Sequence, residues 1–141
     1  MDKRELFIKY MEDTTNIALA TCSDGAANVR IVSIGFDKEE PGVLYFLTDA
    51  NSKKAAELAK NPEVVFVPVP DKPDTDISIR VWGKVSTSDI TIERIAELIG
   101  RHLPEFAKYI PQMAPGLALF EIRYETAQVS LGMDSPDTIT L

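Results

Sequence analysis

The stretch Asn16-Ile17-Ala18-Leu19-Ala20-Thr21-Cys22-Ser23-Asp24-Gly25-Ala26-Ala27-Asn28-Val29-Arg30-Ile31-Val32-Ser33-Ile34-Gly35-Phe36 decides the fold. It holds two apolar runs, Asn16–Cys22 and Ala27–Phe36, on either side of Ser23-Asp24-Gly25-Ala26. Asp-Gly between such runs signals a β-hairpin, because glycine accepts the positive φ that the tight turn demands. Toward the C-terminus, a second turn over Asp37–Gly42 leads into a third strand, Val43–Thr48. These three strands read as an antiparallel meander. Toward the N-terminus, Leu6, Phe7, Tyr10 and Met11 stand at helical spacing within Asp2–Glu12, with Asp2 placed to cap.

Asp49-Ala50-Asn51-Ser52 breaks the strand pattern. Ser52–Lys60 then reads as a helix, rich in alanine and stopped by Asn61-Pro62. Glu63–Val69 predicts a fourth strand, and Pro70–Asp76 a loop carrying three aspartates and two prolines. Ile77–Thr87 alternates Ile77, Ile79, Val81, Gly83 and Val85 against Ser78, Arg80, Trp82, Lys84 and Ser86, a fifth strand. Ile92, Ile95, Leu98, Ile99 and Leu103 form one apolar stripe, predicting a helix over Ile90–Leu103 after Ser88 or Asp89 and before Pro104. A loop with Pro111 and Pro115 separates it from two last strands, Leu117–Tyr124 and Ala127–Met133. The polar tail Asp134–Leu141 reads as loosely held.

Short turns between successive strands predict a mainly antiparallel sheet with flanking helices, in one domain over residues 1–141. Seven strands in so short a chain predict a closed or split β-barrel, since closure removes exposed edges. Neither Gly-x-Gly-x-x-Gly nor a P-loop occurs, so nothing supports a Rossmann or nucleotide-triphosphate fold.

Composition narrows the function. The chain of 141 residues carries 15 basic and 22 acidic side chains, for a net charge of −7. That balance argues against nucleic acid and against an anionic membrane surface, both of which need an excess of cations. It leaves room for one local basic pocket. A single cysteine, Cys22, excludes an intrachain disulfide and a cysteine-based zinc site. Cys22 lies in an apolar run and reads as a packed core thiol. With no disulfide framework, no leader-like segment and no apolar run of spanning length, the sequence predicts a cytoplasmic protein.

Thr48-Asp49-Ala50-Asn51-Ser52-Lys53-Lys54 is the segment richest in chemistry. It starts a helix with two lysines, where the macrodipole already places positive charge. A bound anion resolves the conflict by accepting from free N–H groups, the Ser52 hydroxyl and both ammonium groups. A solvated lysine pair on an exposed helix is the plain alternative. Arg30 sits in the second strand on the face of Val32 and Ile34, so its planar fork either holds a ligand anion or pairs with a carboxylate on a neighbouring strand. His102, the single histidine, ends the long helix and reads as a C-terminal cation before a catalytic group or haem ligand. Trp82 and Arg80 share one strand face. No side chain stands out as acid or base, and no metal-ligand spacing occurs.

Several segments resemble the pyridoxamine 5′-phosphate oxidase-like, FMN-binding split-barrel family. They are Leu19-Ala20-Thr21, Asp24-Gly25, Asn28-Val29-Arg30-Ile31-Val32, Leu44-Tyr45-Phe46-Leu47-Thr48, Ser52-Lys53-Lys54-Ala55 and Asn61-Pro62-Glu63-Val64. Arg80-Val81-Trp82-Gly83-Lys84-Val85 and Ala118-Leu119-Phe120-Glu121-Ile122 complete the pattern over roughly residues 5–132. The resemblance implies a homodimer with FMN at the subunit interface. It implies that Arg30 and Lys54 hold the phosphate with help from Ser52 and Lys53, and that the backbone around Ile31, Val32, Leu47 and Thr48 lines the flavin ring. It further implies an FMN-dependent oxidoreductase that takes a small-molecule substrate or a nicotinamide. A non-catalytic flavin- or haem-binding protein of the same fold is the alternative, and a dimer with a decayed flavin site is a third reading. Two departures set the chain apart from the vitamin-processing oxidases. Gly35 stands where those enzymes carry a phosphate-binding lysine, and their Arg- and His-bearing C-terminal segment has no counterpart after Met133.

Overall fold

The computed structural model describes residues 1–71 and 76–141, so residues 72–75 of the expected Pro70–Asp76 loop lie outside the described residues. The order is α1 (Lys3–Glu12), β1 (Asn16–Ser23), β2 (Ala26–Ser33), β3 (Gly35–Phe36), β4 (Val43–Asp49), α2 (Lys53–Lys60), β5 (Glu63–Pro68) and β6 (Ile77–Thr87). Then come α3 (Ile92–Gly100), α4 (Pro104–Ala107), α5 (Ile110–Met113), β7 (Leu117–Arg123), β8 (Thr126–Leu131) and β9 (Asp137–Thr140).

The hairpin forms as the Asp-Gly signal requires. Asp24 and Gly25 take φ of 52° and 77°, and β1 pairs with β2 from Asn16↔Ser33 to Ser23↔Ala26. The meander does not continue. β4 pairs with β3 and β7 instead of β2, and the sheet runs β2-β1-β5-β6-β7-β4-β3. The two ends of that path, β2 and β3, are consecutive in the chain and separated by Ile34 alone. One residue cannot cross an open sheet of this width, so the sheet must curl until its ends meet. That constraint makes the antiparallel sheet a split barrel.

β6 serves both parts of the curl. Its first half, Ile77–Arg80, pairs with β8, and its last residues, Lys84–Thr87, pair with β7. Gly83 sits at the change of partner. A Cβ there would stand 2.7 Å from Ile122 Cγ2 and 3.0 Å from the Arg123 carbonyl oxygen, so the close approach requires glycine.

Alternating residues turn inward to a core that includes Ile17, Leu19, Val32, Leu44, Phe46, Phe66, Val81 and Ile122, capped by Phe7 and Met11 of α1. The outer face of β4 carries a second core, where Val43 and Tyr45 meet Ile95, Leu98 and Ile99 of α3 and Ile110 of α5. α1 is capped by the Asp2 carboxylate, which accepts from the Glu5 N–H at 2.8 Å.

Four expectations need correction. Cys22 is exposed, not a core thiol. The period of two that buries Ile17, Leu19 and Thr21 turns Cys22 outward. α3 spans Ile92–Gly100 and is capped by Thr91, whose hydroxyl accepts from the Arg94 N–H at 3.1 Å. Ser88, expected to cap it, instead donates to Glu121 at 2.8 Å. The proline loop folds into the short helices α4 and α5, each opened by a proline within its first two positions. The tail, read as loosely held, contributes β9, which pairs with β8 from Thr126↔Thr140 to Val129↔Asp137. Among the described residues no helix is long and apolar enough to cross a membrane.

Candidate cofactor site

β4 ends at Asp49, and the chain turns into α2 through an Asx turn in which the Asn51 N–H donates to Asp49 Oδ1 at 2.9 Å. Ser52 caps α2. Its Oγ accepts from the Ala55 N–H at 3.1 Å and lies 3.4 Å from Thr48 Oγ1. The Ser52 oxygen is therefore engaged as the cap, and its O–H is free to donate to an anion where Thr48 is the donor of their shared contact. No acidic residue occupies the first turn of α2, which opens on Lys53 and Lys54. The N–H groups of a first turn have no partner within their own helix, so this corner offers donors and positive charge together.

Lys53 is exposed, while Lys54 is part-buried with its Nζ 5.9 Å from the centre of the Phe46 ring. Burial, and after it the charge of Arg30, hold the Lys54 ammonium below the ordinary lysine range. Two cations from separate elements thus lie within reach of each other's charge near the start of α2.

Arg30 is held in place by a carboxylate that the sequence reading did not single out. Glu57, on α2 and buried at 6% exposure, accepts from Arg30 Nη2 at 2.6 Å, from Asn28 Nδ2 at 3.0 Å and from Thr21 Oγ1 at 3.2 Å. The partner of Arg30 therefore lies on a helix, not on a neighbouring strand. Burial pushes the Glu57 carboxyl up. Hydrogen bonding and charge from Arg30, helped by the Thr21 hydroxyl and the Lys53 charge, outweigh it and leave the group below its ordinary value of 4.5. A carboxyl lowered by folding lends stability above its unfolded value and loses it as pH falls through the lower folded value. Glu57→Gln should accordingly flatten the acid side of a melting-temperature profile while lowering the plateau at neutral pH. Parallel profiles for parent and variant would show that Glu57 titrates alike in both states.

Beside the two cations lies a cleft of about 190 Å³. β2 contributes Ile31, Val32 and Ser33, β4 contributes Leu47, and α2 contributes Lys54. Ile99 of α3 and Phe106 of α4 close the other side. Of the eight residues expected to bind a cofactor, Ile31, Val32, Leu47 and Lys54 line this cleft. Thr48 and Ser52 touch each other at its α2 corner. Arg30 reaches the corner through its charge on Lys54, and Lys53 stands outside the lining. Ile99, Phe106, Glu57, Asn28 and Thr21 were not anticipated. Glu57 had a signal: it falls three residues after Lys54, on the same helix face as that lysine.

The structure also explains Gly35. A Cβ there would stand 2.8 Å from Leu98 Cβ, so α3 lies directly on this glycine. A lysine cannot reach the cleft from that position without displacing the helix.

The residues present fit a phosphorylated ring system. Arg30, paired with Glu57, and Lys54, which makes no ion pair with a described residue, bring positive charge to this corner, and the adjoining walls are apolar. Sites for small cofactors usually enclose about 300–1,000 Å³, so one chain supplies only part of the enclosure. Ile31, 59% exposed, belongs both to the cleft and to the outer sheet face. Across that face it lies in line with Ala18 and Val67, and Val29 lies in line with Ala20, Val65 and Trp82. Val29 and Trp82 are 67% and 52% exposed, so an unpaired apolar face begins at the cleft rim.

His102 is engaged elsewhere. Its Nε2 donates to the Glu12 carbonyl at 2.8 Å, tying the end of α3 to the end of α1. Arg80 lies 5.7 Å from the Trp82 ring, as their shared face requires.

Fold and site together define an antiparallel split-barrel protein with a cation corner beside an apolar cleft. The chain belongs to the pyridoxamine 5′-phosphate oxidase-like family, whose sequence profile matches residues 10–135. The pyridoxine/pyridoxamine 5′-phosphate oxidase of Ehrlichia ruminantium is 34% identical over 85 residues, covering 60% of this chain and 42% of that relative. The chain therefore matches less than half the length of that curated relative. Among solved structures, a Clostridium acetobutylicum protein related to general stress protein 26, of the pyridoxinephosphate oxidase family, superposes with a TM-score of 0.72. It is 12% identical, with 99% of this chain and 97% of that one covered. The haem storage protein HutZ from Vibrio cholerae gives a TM-score of 0.70 at 16% identity, covering 96% of this chain and 100% of that one. At such identities the two structures share the fold.

Proposed function

We propose that this chain is an FMN-binding protein that acts as a homodimer, with the flavin between subunits, and serves as an oxidoreductase for a small molecule. The observation that carries the reading is that Lys54, at the start of α2 and within the field of Arg30, lines an apolar cleft too small to enclose a cofactor alone. The phosphate would sit against Lys54, Arg30 and the first-turn N–H groups of α2, with Lys53 adding charge from the exposed side. Ile31, Val32 and Leu47 would exclude water from the ring. FMN, when bound, supplies hydride acceptance and release, and a nicotinamide or the substrate itself would exchange hydride with it. The protein contributes binding, orientation and exclusion of solvent. The apolar face of β2, β1, β5 and β6 would cover itself against a second copy, completing the cleft across the interface. Family membership and the curated relative support this reading.

Haem is the weaker reading. Haem iron takes an axial His, Cys, Met or Tyr. Among the described residues the cleft lining contains none of these, and His102 is bound to Glu12. The test is a visible spectrum of the purified protein together with sedimentation. A bound-flavin band on a dimer is expected. A Soret band, or full flavin content on a stable monomer, would contradict the proposal.

A further inference from the structure

The proposed FMN reading leaves the far wall of the cleft without a role, and the following inference rests on that reading. α4 opens on Pro104 and is a single helical turn shortly after α3. That turn brings Phe106 to the cleft, where it lines the same space as Ile31 of β2 and Leu47 of β4. Among the described residues Phe106 is the one aromatic group in the lining. It is 36% exposed although its neighbours Leu103 and Ala107 pack into the second core. An aromatic ring at the mouth of an apolar cleft, beside a cation corner, is uncovered surface that a flat ring system would bury.

We propose that Phe106 is the residue of this chain that recognises the ring of the cofactor, as Lys54 and Arg30 recognise its phosphate. The cleft then reads a ligand at two separated ends. The α2 end distinguishes a phosphorylated flavin from an unphosphorylated one. The α4 end distinguishes a planar aromatic ligand from a ribose phosphate and is indifferent to the phosphate. α4 belongs to the segment between α3 and β7, so variation in this short turn changes what the cleft accepts without touching the phosphate corner.

The two ends give opposite patterns on substitution, and that difference is the test. FMN, riboflavin and ribose 5-phosphate are titrated against the parent, Phe106→Ala and Phe106→Trp, by calorimetry and by flavin fluorescence. Phe106→Ala should weaken FMN and riboflavin by the same factor, roughly threefold to tenfold for one lost aromatic contact, and leave ribose 5-phosphate unchanged. Phe106→Trp should restore flavin affinity. Bound flavin should be dimmer in Phe106→Trp than in the parent, because an indole in contact with the ring donates an electron to the excited flavin and quenches its emission, which a phenyl ring does not. Phe106 is partly exposed on a four-residue helix, so the alanine variant should fold, and an unchanged melting temperature checks it. Unchanged flavin affinity in Phe106→Ala, or unquenched flavin in Phe106→Trp, would overturn the assignment while leaving the phosphate reading intact. A parent that binds FMN and riboflavin equally would remove the phosphate reading while leaving Phe106 in place. A parent that binds neither flavin would overturn both.

Discussion

Replacing Lys53 and Lys54 together by glutamine is expected to remove much of the preference for FMN over riboflavin, with riboflavin affinity itself unchanged. α2 opens on these two lysines with no acidic residue in its first turn. Burial and the nearby Arg30 charge already make the Lys54 ammonium costly to keep. A phosphate dianion relieves both penalties, and riboflavin brings the same ring and ribityl chain without it. Water can solvate an open corner, so the parent's whole preference for FMN is about 3 kcal/mol, roughly a hundredfold, and not the unscreened attraction. The effect should shrink as salt rises, because Lys53 is exposed and its charge is screened. The fold should survive: Lys53 is exposed and Lys54 part-buried, and neither capping bond of α2 uses a lysine side chain. Equal melting temperatures of parent and variant check this.

Arg30→Ala should act on binding and stability at once. Losing a charge-assisted contact to phosphate costs on the order of 1.5–3 kcal/mol, more than tenfold in FMN affinity. It also leaves the Glu57 carboxylate with only the neutral donors Thr21 and Asn28. A buried charge without its partner destabilises the fold, so the melting temperature should fall as well. The two effects separate in titration at a temperature where the variant is fully folded. A lower melting temperature with unchanged FMN affinity would make Arg30 a structural partner of Glu57 and nothing more.

Much of this was legible in the sequence because it depends on local rules. Asp24-Gly25 dictates its hairpin through φ alone, and Ile77–Thr87 alternates at the strand period. Ser52 before two lysines marks the start of α2. What escaped depends on contacts distant in sequence. That β4 leaves the meander is decided by its pairing with β7, some seventy residues further on. Cys22 looked apolar by its neighbours, but the strand phase turns it outward. Glu57 reads as one more charge on a helix until Arg30, Asn28 and Thr21 converge on it from two other strands. Phe106 lay in a segment read as a proline loop, and only the packing of α4 against α3 brings it to the cleft. In the same way Gly35 is an unexplained departure until Leu98 is seen lying on it.

The central claim is that the start of α2 and Arg30 form a phosphate corner beside a ring-binding cleft. Parallel titration of the unmodified protein with FMN and riboflavin, at low and high salt, addresses it most directly. The account predicts FMN binding tighter by roughly a hundredfold at low salt, with the gap narrowing as salt screens Lys53. Equal affinity for the two flavins at low salt would contradict it.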